Sequence, residues 1–103
     1  MIRKSVPKQA PQVSAAVDGR TMHSDSRAEA ILLTLQPGEE MPMHKNPFDV
    51  LFAGIKGEAL LVCTDQTMTI IPGETIFVTA DEDRAWQNKG QVKAQILVFK
   101  ILS

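Results

Sequence analysis

The segment of residues 38–50, GEEMPMHKNPFDV, carries one of the two histidines of the chain, followed by an amide and a carboxylate. All three groups are ligands that divalent metals accept. Side chains two residues apart share a face of a strand, so His44 and Asn46 would lie together while Asp49 would point the other way. The other members of that face are Phe48, Val50 and Phe52. We therefore expect no metal here, the alternative being a weak site of His44, Asn46 and Asp49 that requires a β-bulge near Pro47.

Two methionines stand just before this histidine, and thioether sulfur favours Cu(I). In an extended strand, however, Met41 and Met43 share a face that excludes His44. Methionine more commonly fills irregular apolar gaps. We therefore expect packing methionines rather than a copper site, and a structural role for the other histidine, His23.

A second polar set stands at Arg84, Trp86 and Asn88, which would face one way in a strand. A guanidinium offers five donors in a flat fork, which suits a carboxylate or a phosphate. The acidic residues 81–83 immediately precede Arg84, so the arginine could instead pair with one of them or with Asp49. Such ordinary pairing is the outcome we favour, and Trp86 is expected to belong to the core.

Short apolar segments separated by Gly, Pro and Asp predict the elements that must position these side chains. After an irregular or edge segment over residues 1–12, the predicted strands cover residues 13–17, 28–35, 48–55, 58–63, 67–71, 74–78, 84–87 and 92–102. Strands of this length at roughly ten-residue spacing are typical of a β-sandwich or barrel. One alternative remains open, because Ser26 and Glu29 form a capping box that could start a short helix ending at Pro37.

The turn residues resemble those of the cupin superfamily. Gly38, His44 and Gly57 match the spacing of its first motif, and Gly73 and Asn88 match its second, over about half of the chain. The resemblance implies an all-β fold, the cupin-type double-stranded β-helix or jelly-roll barrel, in a single domain of residues 1–103. The glycines would occupy tight turns that require a positive φ.

The positions that hold a divalent metal in metal-binding cupins correspond by this resemblance to His44, Asn46, Val50 and Arg84. Only His44 is a good ligand, and the permanent charge of Arg84 opposes a cation at contact distance. The second motif also has Thr79 in place of proline and Asp81 in place of glycine. The expectation is therefore no cofactor, with a divalent metal as the weaker alternative. The barrel interior would instead bind a small anionic ligand, a carboxylate or a phosphate, through His44, Asn46, Val50, Phe52, Arg84 and Trp86.

Composition excludes several other classes of partner. The 103 residues carry a formal net charge of −1, and neither a basic patch for nucleic acid nor an apolar segment of about 18 residues for a membrane is present. The N-terminal residues lack the apolar stretch of a signal peptide. The single cysteine, Cys63, lies in an apolar segment and is expected to be an inert thiol. The expected location is the cytoplasm.

Three functions remain open from the sequence. The chain could be a metal-independent binding module, a metal-dependent cupin enzyme of dioxygenase or isomerase type with an atypical ligand set, or an interaction protein whose barrel is filled by its own side chains. The absence of tyrosine leaves His44 without a common partner acid. Because residues 92–102 are apolar on both faces, we expect a C2 homodimer.

Overall fold

Strands dominate the structure, a computed structural model that describes residues 1–13 and 16–103. Within these residues the chain forms nine strands and a 3₁₀ turn at Pro7–Gln9. The strands are β1 (Asp18–Ser24), β2 (Ala28–Leu35), β3 (Glu40–His44), β4 (Asp49–Lys56), β5 (Ala59–Cys63), β6 (Thr67–Ile70), β7 (Thr75–Val78), β8 (Arg84–Gln87) and β9 (Ala94–Ile101). In the described part of the chain, no helix combines the length and the apolar character needed to cross a membrane.

Two antiparallel sheets form the fold, as the turn spacing predicts. The larger sheet has the strand order β1-β2-β9-β4-β7, and the smaller has the order β3-β8-β5-β6. Strand alternation turns one face of each sheet inward, and these faces form one core that includes Leu35, Val50, Leu61, Ile96 and Trp86. The all-β prediction is confirmed.

The predicted strand over residues 28–35 is confirmed, whereas the strand predictions fail at two other places. The capping box does not start a helix, because Ala28–Leu35 pairs along its whole length with β9 and is therefore a central strand. Asp18 and Gly19 follow the predicted strand 13–17 and lie outside every predicted strand, but they begin β1, where they pair with Thr34 and Leu33. Strand β3 was not predicted, and the predicted strand 13–17 includes residues 14 and 15, which lie outside the described residues.

The motif glycines occupy the predicted turns. Gly38, Gly57 and Gly73 have φ values of 86°, 66° and 91°, in the left-handed region that favours glycine. Asp81, which replaces the glycine of the second motif, has a φ of 67°. The chain therefore keeps the left-handed turn although aspartate, which tolerates this conformation better than most residues, has taken the place of glycine.

A close approach between strand β4 and the turn before β7 depends on Gly54. Its amide donates to the Glu74 carbonyl at 2.9 Å, and its own carbonyl accepts from the Gly73 amide at 3.1 Å. A Cβ at Gly54 would stand 2.2 Å from the Ile71 carbonyl oxygen, which is backbone and cannot rotate away. Only glycine permits this contact.

We expect Gly54→Ala to lower the free energy of unfolding by about 2–3 kcal/mol, because the backbone of the 71–74 turn must shift to admit the methyl group. Urea denaturation followed by tryptophan fluorescence measures the change. Gly90→Ala is the matched control, since its added Cβ meets only the Asn88 side chain, at 3.4 Å. Equal effects at the two positions would contradict the close-approach argument.

Candidate functional site

A cavity of about 300 Å³ lies between the inner faces of the two sheets. Its polar side chains are Glu29, His44, Asn46, Arg84 and Lys100, and its apolar wall includes Ile31, Leu33, Met41, Phe52, Trp86 and Val98. The cavity runs from the surface, where His44 is exposed, to the core, where Arg84 is only 2 % exposed. A mainly apolar wall with a few convergent polar groups is typical of small-molecule sites.

A bulge in β3 brings His44 to this wall. Met41 pairs with Trp86 and His44 pairs with Arg84, so three residues of β3 advance against two of β8. The extra residue reverses the alternation, and Met41 and His44 both line the cavity while Met43 is 48 % exposed. The prediction that the face of Met41 excludes His44 was therefore wrong, because it assumed a regular strand.

The imidazole of His44 is fixed by its own strand. Its Nδ1 lies 2.9 Å from the Pro42 carbonyl oxygen. A carbonyl only accepts, so Nδ1 carries the proton in this contact, and Nε2 of the neutral ring is left as an acceptor. Protonation at Nε2 would turn the same ring into a donor and a cation at the cavity wall.

Arg84 is a buried cation without a carboxylate. Its Nη1 donates to the Glu82 carbonyl oxygen at 3.3 Å, and its Cζ lies 5.9 Å from the centroid of the Phe52 ring. Among residues 1–13 and 16–103, no carboxylate stands within salt-bridge distance of the guanidinium, and Nε has no hydrogen-bond partner. Burial lowers the pKa of Arg84, although the nearby Cys63 and Asp83 oppose the shift.

The favoured expectation for Arg84, pairing with the acidic triplet or with Asp49, is therefore not met. Alternation along β8 turns Arg84 inward with Trp86, whereas residues 81–83 stay exposed in the preceding loop. The Asp49 carboxylate accepts instead from the Ala80 amide at 2.9 Å. Both carboxylate sources thus lie away from the inner face that holds the guanidinium.

Trp86 and Phe52 form the aromatic part of the wall. Their rings meet edge to face, with centroids 5.1 Å apart and an interplanar angle of 80°. Both residues are at most 2 % exposed, which confirms the expectation that Trp86 belongs to the core, yet both also line the cavity. The Trp86 indole Nε1 is buried and finds no acceptor among the residues that the structure describes. Buried N–H groups without a protein acceptor are unusual, and this one lies beside the buried guanidinium that shares its strand.

An ion pair inside the cavity was missed by the sequence reasoning. Lys100 Nζ lies 3.3 Å from Glu29 Oε1, and the two residues are direct cross-strand partners in β2 and β9. Strand alternation could have predicted that both side chains face inward, because Glu29 is two residues from Ile31 and Lys100 is two residues from Val98, and both apolar residues face the core. Charges near the ends of strands are usually solvated, which is why the pattern did not draw attention to them.

The three other residues singled out in the sequence have different positions: one lines the cavity, one is buried in the core and one connects loops. Asn46 lines the cavity, and its backbone carbonyl oxygen accepts from the Asp81 backbone amide at 2.8 Å. Val50 is completely buried in the core and does not reach the cavity wall. Asn88 is satisfied by three bonds of 2.9 Å, donating to the carbonyls of Leu35 and Val92 and accepting from the Gly90 amide. Asn88 therefore ties loops together.

The residues present do not fit a divalent metal. The four positions implied by the motif resemblance supply one imidazole, one amide, the aliphatic Val50 and a guanidinium. Asp49 does not join His44 and Asn46, because its carboxylate is bonded to the Ala80 amide and lies off the cavity wall. Within the described ranges 1–13 and 16–103, no three His, Cys, Asp or Glu side chains come together in a possible metal site.

The thiol of Cys63 adds no reactive group to the site. It lies opposite Arg84 in the pairing of β5 with β8. Burial raises the pKa of Cys63, and the carboxylates of Asp65 and Glu82 raise it further, against the opposing effect of the guanidinium. The thiol therefore stays protonated at neutral pH, as expected for an inert cysteine.

A model of the Cupin domain family matches residues 31–100, which include all of β3 to β8 and most of β2 and β9. The chain belongs to the cupin family. Solved cupins share its architecture at low identity, which shows the fold alone. No match was found among curated proteins.

Three solved structures illustrate the range of this similarity. The polyketide cyclase RemF from Streptomyces resistomycificus superposes with a TM-score of 0.87 at 17 % identity, covering 100 % of this chain and 81 % of that one. A predicted oxalate decarboxylase from Thermotoga maritima gives 0.84 at 18 % identity, covering 100 % of both chains. An RmlC-like cupin with a double-stranded β-helix fold from Methanocaldococcus jannaschii gives 0.81 at 21 % identity, covering 98 % of this chain and 90 % of that one.

We expect Arg84→Met to raise the free energy of unfolding in the absence of any ligand by about 1–2 kcal/mol, since an apolar side chain of similar length removes a buried, uncompensated charge. Chemical denaturation measures the change. Arg27→Met is the control at an exposed arginine and should stay within about 0.5 kcal/mol of the parent protein. A destabilised Arg84→Met would mean that the guanidinium supports the fold.

Proposed function

We propose that this cupin is a metal-independent binding protein for a small organic anion, with a carboxylate held by Arg84 inside the barrel. The observation that carries the proposal is the buried guanidinium of Arg84 on a cavity wall, without a carboxylate from the described chain. A buried charge without a counter-ion is costly, so its retention calls for a compensating role. A ligand carboxylate would supply the missing counter-charge and accept from the guanidinium where it lines the cavity.

The surroundings of Arg84 support an anion that also carries apolar groups. Phe52 and Trp86 present aromatic surface, and the wall continues through aliphatic side chains. His44 can donate or accept according to its protonation state, and Asn46 can do both at once. A carboxylate suits this set better than a phosphate, because the cavity holds two cations and one carboxylate, a net charge of about +1 with His44 neutral.

The two other functions have less support. A metal-dependent enzyme would need a ligand set that the donors at the cavity wall do not supply, and His44 is oriented by a carbonyl rather than by a carboxylate. A protein with a filled barrel would leave no cavity between the two sheets, whereas a cavity of about 300 Å³ is lined by residues of both sheets, among them Ile31 and His44. The cyclase and decarboxylase descriptions belong to relatives whose identity to this chain is below 25 %.

The binding proposal is tested with benzoate as the probe. Isothermal titration calorimetry should detect benzoate binding to the parent protein, and benzoate should raise the melting temperature because it binds the folded state. Arg84→Met should weaken binding by about 10- to 100-fold, the effect of one or two charge-assisted hydrogen bonds. His44→Ala should weaken it less, since its ring is exposed, and Arg27→Met should leave it unchanged.

Divalent metal ions form the opposing arm of the same experiment. If Zn²⁺, Mn²⁺, Fe²⁺ or Ni²⁺ raises the melting temperature through His44 while neither benzoate nor inorganic phosphate does so, the chain is a metal cupin and the proposal is wrong. Phosphate binding that also depends on Arg84 would keep an anion site and change the ligand class.

We also propose that two copies associate through the outer face of the larger sheet. Leu51 of β4 pairs with Phe77 of β7 on one side and with Phe99 of β9 on the other, so the three side chains form one apolar row. Phe77 is 54 % exposed and Phe99 is 37 % exposed. Contiguous exposed apolar surface of this kind is typical of interfaces, and a two-fold axis would let the row cover itself.

We expect light scattering to give a dimer mass for the parent protein at micromolar concentration. Phe99→Lys should shift the equilibrium toward monomer, because it places a charge in the apolar row. Val92→Lys makes the same change at an apolar residue that is 63 % exposed in the loop before β9, outside the row, and should leave the mass unchanged. A parent protein that is monomeric under these conditions would overturn the dimer.

A further inference from the structure

The cavity wall contains a carboxylate, Glu29, that pairs with Lys100 and has no part in the proposed function. Glu29 and Lys100 line the same cavity as Arg84, and their charged groups lie 3.3 Å apart. Glu29 Oε2 also accepts from the Ser24 hydroxyl at 3.1 Å, so both carboxylate oxygens are engaged. The carboxylate is thus held in place by two partners on neighbouring strands.

The two cations therefore differ in what they can offer a ligand. Arg84 has no carboxylate from the described residues, whereas Lys100 already has one. They also differ in depth, because Arg84 is 2 % exposed and the side chains of Glu29 and Lys100 are each 27 % exposed. A ligand whose carboxylate reaches Arg84 would extend from there toward the more exposed side chains of the cavity wall, which include His44, Glu29 and Lys100.

The wall beside the pair is apolar. Ile31 and Leu33 follow Glu29 on the inner face of β2, and Val98 precedes Lys100 on the inner face of β9. This surface suits a hydrocarbon or aromatic body. A second carboxylate beside this pair would be repelled by Glu29 and would compete with it for the Lys100 ammonium.

We infer that Glu29, held by Lys100 and Ser24, makes the cavity selective for monocarboxylates with an apolar body over dicarboxylates. The inference rests on the proposed function, since it requires an anion at Arg84. Glu29 acts here as a specificity residue through like-charge repulsion and through its hold on the lysine.

The test compares isophthalate with its monomethyl ester, which have nearly the same size and differ by one charge. Calorimetry at pH 8, where all carboxyl groups are ionised, should show the parent protein binding the ester about five- to tenfold more tightly than isophthalate. Glu29→Gln should remove or reverse this preference by tightening isophthalate binding. Glu58→Gln repeats the substitution at an exposed glutamate away from the cavity and should keep the parent ratio.

Lys100→Gln is the second variant, and it keeps the inference testable should Glu29→Gln fail to fold. Removing the lysine leaves Glu29 without its cation, so the preference for the ester should increase. Melting temperatures measured without ligand establish that each variant is folded.

The outcomes separate the two proposals. If benzoate binds and depends on Arg84, but the parent protein binds isophthalate as tightly as the ester, or does not bind the ester, the selectivity is wrong and the anion site stands. An unchanged ratio in folded Glu29→Gln would likewise refute the selectivity and leave the anion site in place. If no carboxylate binds the parent protein, the anion site and the selectivity both fall.

Discussion

The burial of one guanidinium is the constraint on which the rest of this site depends. Strand β8 has only four residues, and its alternation sends Arg84 and Trp86 into the barrel together. Each brings a polar N–H group into a region where the described side chains supply no acceptor for it. Apolar side chains at these two positions would give a more stable core. Polar groups buried at a cost in stability are typical of functional sites.

The bulge in β3 also brings a polar side chain to the cavity wall. Proline lacks an amide donor and is tolerated in edge strands and bulges, and Pro42 lies in the bulge of an edge strand. The bulge turns His44 toward the interior, and the carbonyl of Pro42 fixes the ring. One extra residue therefore converts an exposed strand end into part of the wall, which is a common use of bulges near binding sites.

The chain has the backbone turns of a cupin but not the set of side chains that binds a metal in metal-binding cupins. The turns are retained to the extent that Asp81 adopts a left-handed conformation where the family has glycine. The side chains at the corresponding ligand positions have changed to an amide, a valine and a guanidinium. A scaffold fixes where side chains point and not what they are, so the same barrel can carry different chemistry at the same positions.

The sequence by itself determined the fold class and most of the strands, because turn glycines and alternation are local and need no knowledge of distant partners. Parity also placed Arg84 on the same face as Trp86, although the expected partner of Arg84 was a loop carboxylate. The tertiary structure decided which charges meet. Glu29 and Lys100 are far apart in the sequence, and only the register between β2 and β9 makes them neighbours. The sequence did not predict the bulge that brings His44 to the cavity, because the bulge depends on how β3 pairs with β8. Nor did it predict that Arg84 has no carboxylate partner among the described residues, because this depends on where the loops place Asp49 and residues 81–83.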